Sequence, residues 1–526
     1  GFVTPNKPSF SLMNGVAENP TAGGNAWSYV GAFYRVNYGY KGKYLVEVSG
    51  RYDGSSKFPI HSKWGFFPSA SVAWRISDEP WMGWSRRALD NAKIRLSAGS
   101  MGNGNVDPYS YTSEMTVATA SDIVLGGGLP SYTTVGSTVP VSLTWEKSTT
   151  YDLGLDLDFL NNRLSFSGDY YRRYTTDMYT PSISLPSVYG TTSPKGNNAE
   201  LRTTGWELSL TWRDSFKLGG KPFDYSIKAM VWDNRTVVTK YENATRSLGT
   251  LKGYIQNGGS PSDFYEGMEL GEMWGYTVAG LFRDQADIDS SATHDFTQAS
   301  DKVTRPGQVK IADLDHNGNI DPGAFTADDH GDLSIIGNIN PHYMFGVNLA
   351  ANWNGIGLSV FLQGVMKRDW YPSPDSGYFW GKYARPFMWV LGIHNYTDDM
   401  YSEEKNNWDT AYWPRMTTYQ SNSSYSWTKL LEIPNTRYKQ NAAYLRVKNI
   451  QVDYTFPKAL CQKIRLGGLK IYLSGENLFT FTPLHKYAPN FDPEALGYDT
   501  DFSSTAGDGY TYPVLKSVTL GVNITF

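Results

Sequence analysis

Cysteine is almost missing from this chain. Cys461 is the only one, which excludes an intramolecular disulfide and a cysteine-based metal centre and leaves a packed thiol as its expected state. Long apolar runs are missing too: none approaches the ~18 residues of a membrane-crossing helix, and the mean hydropathy is −0.43. Neither sign of charge dominates. The 47 Lys and Arg against 51 Asp and Glu give a net charge of −4 without a basic run, which disfavours nucleic acid as a partner. Histidine is sparse. His61, His294, His316, His330, His342, His394 and His485 form no HExxH motif or closely spaced pair, and no GxSxG elbow, P-loop or GxGxxG fingerprint is present. The expectation is a protein that is not an enzyme and requires no cofactor. The sequence opens at Gly1 without an initiator methionine or signal peptide, so a secreted or membrane reading expects an amino-terminal portion ahead of it.

What is abundant points to strands. Glycine numbers 52, and connections rich in Asn, Asp and Ser suit an all-β chain with many turns. Aromatic residues make up 15%, with 37 Tyr and 17 Trp, which fits girdles at two membrane interfaces and equally a surface that stacks on sugars or peptides. In Lys516 to Phe526 (KSVTLGVNITF), Val518, Leu520, Val522, Ile524 and Phe526 are apolar, and small or polar residues stand between them. A period of two puts one set on each face of a strand. Tyr44 to Tyr52, Tyr151 to Phe159 and Trp206 to Trp212 alternate likewise, and Phe345 to Trp353 leads through Asn354-Gly355, a strong hairpin signal, into Ile356 to Leu362.

Thirteen such strands, each about ten residues or longer, are expected near 29–40, 44–54, 66–76, 91–102, 145–159, 163–178, 199–213, 223–238, 342–353, 356–366, 443–456, 469–481 and 516–526. Short or moderate connections at 41–43, 77–90, 160–162, 214–222, 354–355 and 457–468 alternate with mostly longer ones at 55–65, 103–144, 179–198, 239–341, 367–442 and 482–515. That sorting predicts a transmembrane antiparallel β-barrel, with short periplasmic turns and long external loops. An odd strand count expects an odd number of strands before Gly1.

Nine stretches carry a family resemblance: SGRYDGSSKFP (49–59), WGFFPSASVAWRISDEPWM (64–82), NNAELRTTGWELSL (197–210), GNINPHYMFGVNLAANWNGIGLSVFLQG (337–364), NNWDTAYWPR (406–415), NAAYLRVKNIQVDYTFPKAL (441–460), LKIYLSGENLFTFTP (469–483), NFDPE (490–494) and YPVLKSVTLGVNITF (512–526). In this order they resemble the SusC/RagA-like TonB-dependent outer-membrane transporters of Bacteroidetes. The resemblance implies a 22-stranded barrel around a plugged lumen, of which residues 1–526 are the carboxy-terminal part, with the plug domain outside this chain. It also implies bacterial outer-membrane localisation and active import of oligosaccharides or oligopeptides. The ligand would bind in the lumen beneath a SusD-like surface lipoprotein lid, uptake would be energised through TonB, and transporter–lipoprotein pairs would dimerise. The alternative from residues alone is a soluble, secreted all-β glycan-binding protein or hydrolase.

Two segments could carry binding chemistry. In DLDHNGNID, Asp313, Asp315 and Asn317 take positions one, three and five of an EF-hand-like loop, Gly318 makes the turn, Asn319 offers its carbonyl and Asp321 stands at position nine. Position twelve is Ala324, so the pattern is incomplete; the resemblance implies an acidic pair after the glycine, and Asp328 and Asp329 are the candidates. Structural calcium and an Asx-rich external turn are both open readings. The second segment is the aromatic cluster of 367–442. It supplies either a loop core or, from Trp370, Tyr378, Phe379 and Trp380, contacts to a sugar or peptide in the lumen. Asp492 and Glu494 have the residue types of a glycosidase pair, but DPE reads as a loop-end turn.

Overall fold

Alternating side chains can be buried on one face and solvated on the other only in extended, paired backbone, and the chain pairs accordingly. A computed structural model describes residues 24–113, 115–119, 131–135, 139, 143–181, 195–249, 263–294, 304–372, 379, 399–415, 433–496 and 514–526. Its strands are β1 (Tyr29–Tyr40), β2 (Tyr44–Ser55), β3 (Trp64–Arg75), β4 (Leu89–Asn103), β5 (Glu146–Phe159), β6 (Leu164–Pro181) and β7 (Lys195–Leu218). They continue with β8 (Lys221–Lys240), β9 (His342–Trp353), β10 (Ile356–Lys367), β11 (Tyr444–Thr455), β12 (Gly468–Phe481) and β13 (Ser517–Thr525). These form one 13-stranded antiparallel sheet in which every strand pairs with its neighbour in sequence.

All thirteen expected strands are present, and the main departure is at 214–222. Instead of a connection there, β7 and β8 run on to a two-residue turn in which Gly219 and Gly220 take φ of 60° and 78°. Phe216, Leu218, Phe223 and Tyr225 prolong the outward alternation, and two glycines accept the left-handed backbone that such a turn demands. Asn354 and Gly355, at φ 49° and 88°, close β9 onto β10 in the same way.

The outward face is an apolar belt. Val46, Val72, Leu96, Leu153, Tyr170 and Trp206 stand opposite one another across six strands. Leu358, Val452, Leu473 and Leu520 continue the pattern at the far side. Most of these side chains are exposed, with Leu520 at 73%. Aromatic pairs rim the belt at both ends. Tyr52 stacks on Trp64 and Tyr151 meets Tyr174 near the long loops; Trp74 meets Trp81, and Phe216 meets Phe223 and Tyr225, near the short turns. Trp206 and Phe216 mark the two rims on one strand; ten residues at about 3.4 Å each, tilted ~45°, give about 24 Å of height, the thickness of a barrel's lipid-facing band. Among the described residues, no helix is long and apolar enough to cross a membrane. A belt of this kind disfavours the soluble alternative, because water does not tolerate a continuous apolar patch of such extent.

The inward face carries paired charges. Glu47 meets Arg35 at 2.7 Å and Asp53 meets Arg51 at 3.0 Å. Asp156 is held by Lys93 at 2.9 Å and Arg95 at 3.0 Å, and Arg95 also reaches Asp169 at 2.8 Å. Cys461 is buried in the short helix α1 (Lys458–Lys463) between β11 and β12.

Candidate functional site

The long connections of the second half fold together above the strands. Among the described residues, four short strand pairs brace the long loops: 115–119 with 131–135, 272–276 with 333–338, 278–281 with 309–311, and 369–370 with 440–441. Met273, Tyr276, Leu333, Tyr371, Trp413, Tyr438 and Leu484 belong to one buried cluster that spans the loops following β8, β10 and β12. Trp370 lies in it, 5.0 Å from Phe491 and edge-on to Phe379; Phe379 meets Trp413, and Tyr412 stacks on Tyr487 at 3.6 Å. With 1% and 0% exposure, Trp370 and Phe379 spend their ring surface on this packing. Tyr378 and Trp380 lie outside the described residues.

The DPE turn is tied to the sheet by charge. Arg446 on β11, with a side chain only 3% exposed, pairs with Asp492 and, at 2.6 Å, with Glu494. Glu494 also meets Lys448 at 2.6 Å. Arg368 donates to the carbonyls of Pro493 and Leu496. Both carboxylates are thereby engaged in holding the loop. His342 is likewise a packing group: buried, with Nδ1 2.8 Å from Asp233 and Nε2 3.7 Å from Glu269.

The Asp-rich loop folds around its own side chains. Gly318 N donates to Asp313 Oδ2 at 3.0 Å, Asn317 N to Asp315 Oδ1 at 3.0 Å, and Asn319 N to Asn317 Oδ1 at 2.7 Å. His316 and Gly318 take φ of 60° and 85° to allow this tight winding. The third carboxylate is Asp332, not Asp328 or Asp329. Ligand oxygens of Asp313, Asp315 and Asp332 lie within 4.8 Å of one another. Residues 322–331 form a turn of their own, closed by Asp332 N donating to Asp321 O at 2.9 Å, which carries the acidic pair aside; Asp328 pairs with Arg246. Asp332 is fully buried and accepts from Leu314 N and Asp321 N.

This constellation fits a hard divalent cation. Asp313 Oδ1 is buried without a hydrogen-bond partner, as a free ligand oxygen would be. Against its partial withdrawal from water, amides of Gly318 and His316 hold Asp313 below the usual carboxylate range. Burial pushes Asp332 up; the amides of Asp321 and Leu314 oppose the shift, and the charges of Asp315 and Asp313 add to it. Crowded carboxylates of this sort are relieved by a cation. The motif spacing pointed to Asp313 and Asp315; Asp332 comes from beyond the loop, where its only sequence signal was an acid just before the apolar strand Leu333–Asn338.

Comparison with known proteins agrees with this architecture. Residues 2–306 match the family described as TonB dependent receptor-like, beta-barrel. TonB-dependent receptor P3 of Formosa agariphila is 28% identical over 538 residues, covering 100% of this chain and 48% of that protein. TonB-dependent receptor SusC of Bacteroides thetaiotaomicron is 25% identical over 513 residues, covering 94% of this chain and 44% of that protein. The chain thus spans about half the length of the curated relatives it matches. Among solved structures, the RagAB peptide transporter superposes with a TM-score of 0.66 at 20% identity, over 95% of this chain and 48% of that one, which establishes likeness of fold. The chain belongs to the TonB dependent receptor-like β-barrel family of outer-membrane proteins.

Proposed function

We propose that this chain is the carboxy-terminal part of an active importer that takes oligosaccharides or oligopeptides across the outer membrane. The observation that carries the reading is the pairing of a lipid-facing sheet with a folded external layer, above an inner wall of ion pairs rather than an apolar interior. Such a wall lines a hydrated passage, and such a layer supplies the surface on which a ligand is held. In this reading further strands complete a barrel of 22 around a plug, a SusD-like lipoprotein covers the loops, TonB supplies the energy through the plug, and transporter–lipoprotein pairs dimerise. The free edges of β1 and β13 among the described residues support the missing strands, because lipid does not tolerate unpaired backbone. Tyr378 and Trp380 are the residues assigned to ligand, whereas Trp370 and Phe379 are buried in the loop core. The test is uptake of labelled oligopeptides and oligosaccharides by cells carrying the complete gene. Accumulation that stops when TonB is deleted is expected; accumulation unaffected by TonB overturns the reading.

The same layer is proposed to bind structural calcium through Asp313, Asp315 and Asp332, with Asn317, Asn319 and Asp321 shaping the loop. Calorimetry on the complete protein should show binding that D332N weakens ~10-fold or more. A chelator should then speed proteolysis within 304–332. No calcium heat in the unaltered protein overturns the assignment.

A further inference from the structure

Residues 76–88 link β3 to β4 at the short-turn end and fold back over the lipid-facing side. Two 3-10 turns, Ile76–Asp78 and Pro80–Arg87, follow one another. Trp81 lies edge-on to Trp74, whose ring stands on the outward face of β3, at 6.4 Å. Glu79 is drawn to the same side: it accepts from Tyr44 Oη at 2.6 Å and Trp74 Nε1 at 3.2 Å, with Lys43 Nζ 3.5 Å away. Asp78 is paired with Arg75 at 3.6 Å. The acids of the segment are therefore engaged. Trp81 and Trp84 remain 57% and 78% exposed. Arg86 and Arg87 beside them are exposed, with no ion pair or side-chain hydrogen bond among the described residues.

The connection between β11 and β12 repeats this layout. It follows the outward ring pair Tyr454–Phe456. Leu460 and Ile464, one helical turn apart, are 47% and 56% exposed. Lys463 and Arg465 flank them, exposed and without an ion pair among the described residues.

Bare indoles continuous with a lipid belt sit at the depth of headgroups, and guanidiniums just beyond them face phosphate oxygens, which they bind in bidentate fashion. We propose that these two connections dock on anionic phospholipid headgroups of the periplasmic leaflet, with Arg86 and Arg87 as the main anchors. Charge complementarity and continuity with the apolar belt both favour lipid over a soluble partner. The proposal is independent of what the protein imports.

The test is native mass spectrometry of the complete protein released from nanodiscs that contain phosphatidylethanolamine and phosphatidylglycerol. Each arginine should raise retention of phosphatidylglycerol about 5-fold, so R86Q/R87Q should lose roughly 25-fold. Phosphatidylethanolamine should stay unchanged, and R86K/R87K, which keep the charge but lose the bidentate fork, should fall between the unaltered protein and R86Q/R87Q. Heat-dependent gel migration reports assembly; should the double variant not assemble, R86Q and R87Q alone must each show the smaller loss. Equal phosphatidylglycerol retention in the glutamine variants and the unaltered protein overturns the proposal, as does a parallel loss of both lipids.

Discussion

Asp492 joins three parts of the chain through one carboxylate. Oδ1 meets Arg446 and accepts from Glu494 N, while Oδ2 accepts from Val514 N at 3.1 Å. Replacing Arg446 with Met would leave two carboxylates without their buried partner, which is expected to cost about 3–5 kcal/mol; hydrogen exchange across 483–496 should rise sharply. Against its burial, the Glu494 amide and the Arg446 guanidinium hold Asp492 below the usual range. The stabilisation is therefore fully present above the ordinary carboxylate value near ~3.9 and is lost as pH falls through the lower folded value. His294 behaves with the opposite charge. Burial, opposed by the Ala292 carbonyl and reinforced by Lys310, lowers it to about 4, and the neutral ring accepts from Ile311 N at 2.9 Å. Between about pH 6.5 and the folded value, the unfolded segment takes up a proton that the folded one refuses. Protection factors of 278–294 and 304–311, taken against the intrinsic exchange rate at each pH, should fall from pH 7 to pH 5, and H294Q should flatten that dependence. Identical profiles would show that His294 does not govern it. At this scale the sequence was a partial guide: DLDHNGNID announced itself by spacing, whereas Asp332 and Arg446 act through contacts that no local pattern encodes.

Strands and their facing were the most legible elements, because a period of two over ten or more residues has few other causes. The short strand pairs in the loops were not legible. Two to six residues are too few for alternation to register, and their pairing depends on segments far apart in sequence, as with 272–276 and 333–338. Facing yields a sharp contrast. Leu153, outward between Leu96 and Tyr170, is expected to lose about 2–4 kcal/mol on substitution by Arg, measured by unfolding in lipid. Ser97, of the opposite parity on β4, should accept Arg at much smaller cost. Equal losses at both positions would mean that the belt does not face lipid.

For the whole molecule, the decisive feature is that β1 and β13 each pair on one side only among the described residues. Residues 24–526 expressed alone in detergent are expected to associate through these edges, as light scattering would detect. A stable monomer would mean that β1 and β13 close on each other. The amino-acid sequence by itself determined the class of fold, the number and direction of the strands and the sorting of short turns from long loops, since each follows from local alternation and turn chemistry. Only the tertiary structure decided that the loops share one core, that Trp370 and Phe379 are consumed by it, and that Asp332 completes the acidic cluster. Those outcomes depend on which distant segments meet, and a one-dimensional pattern holds no record of such encounters.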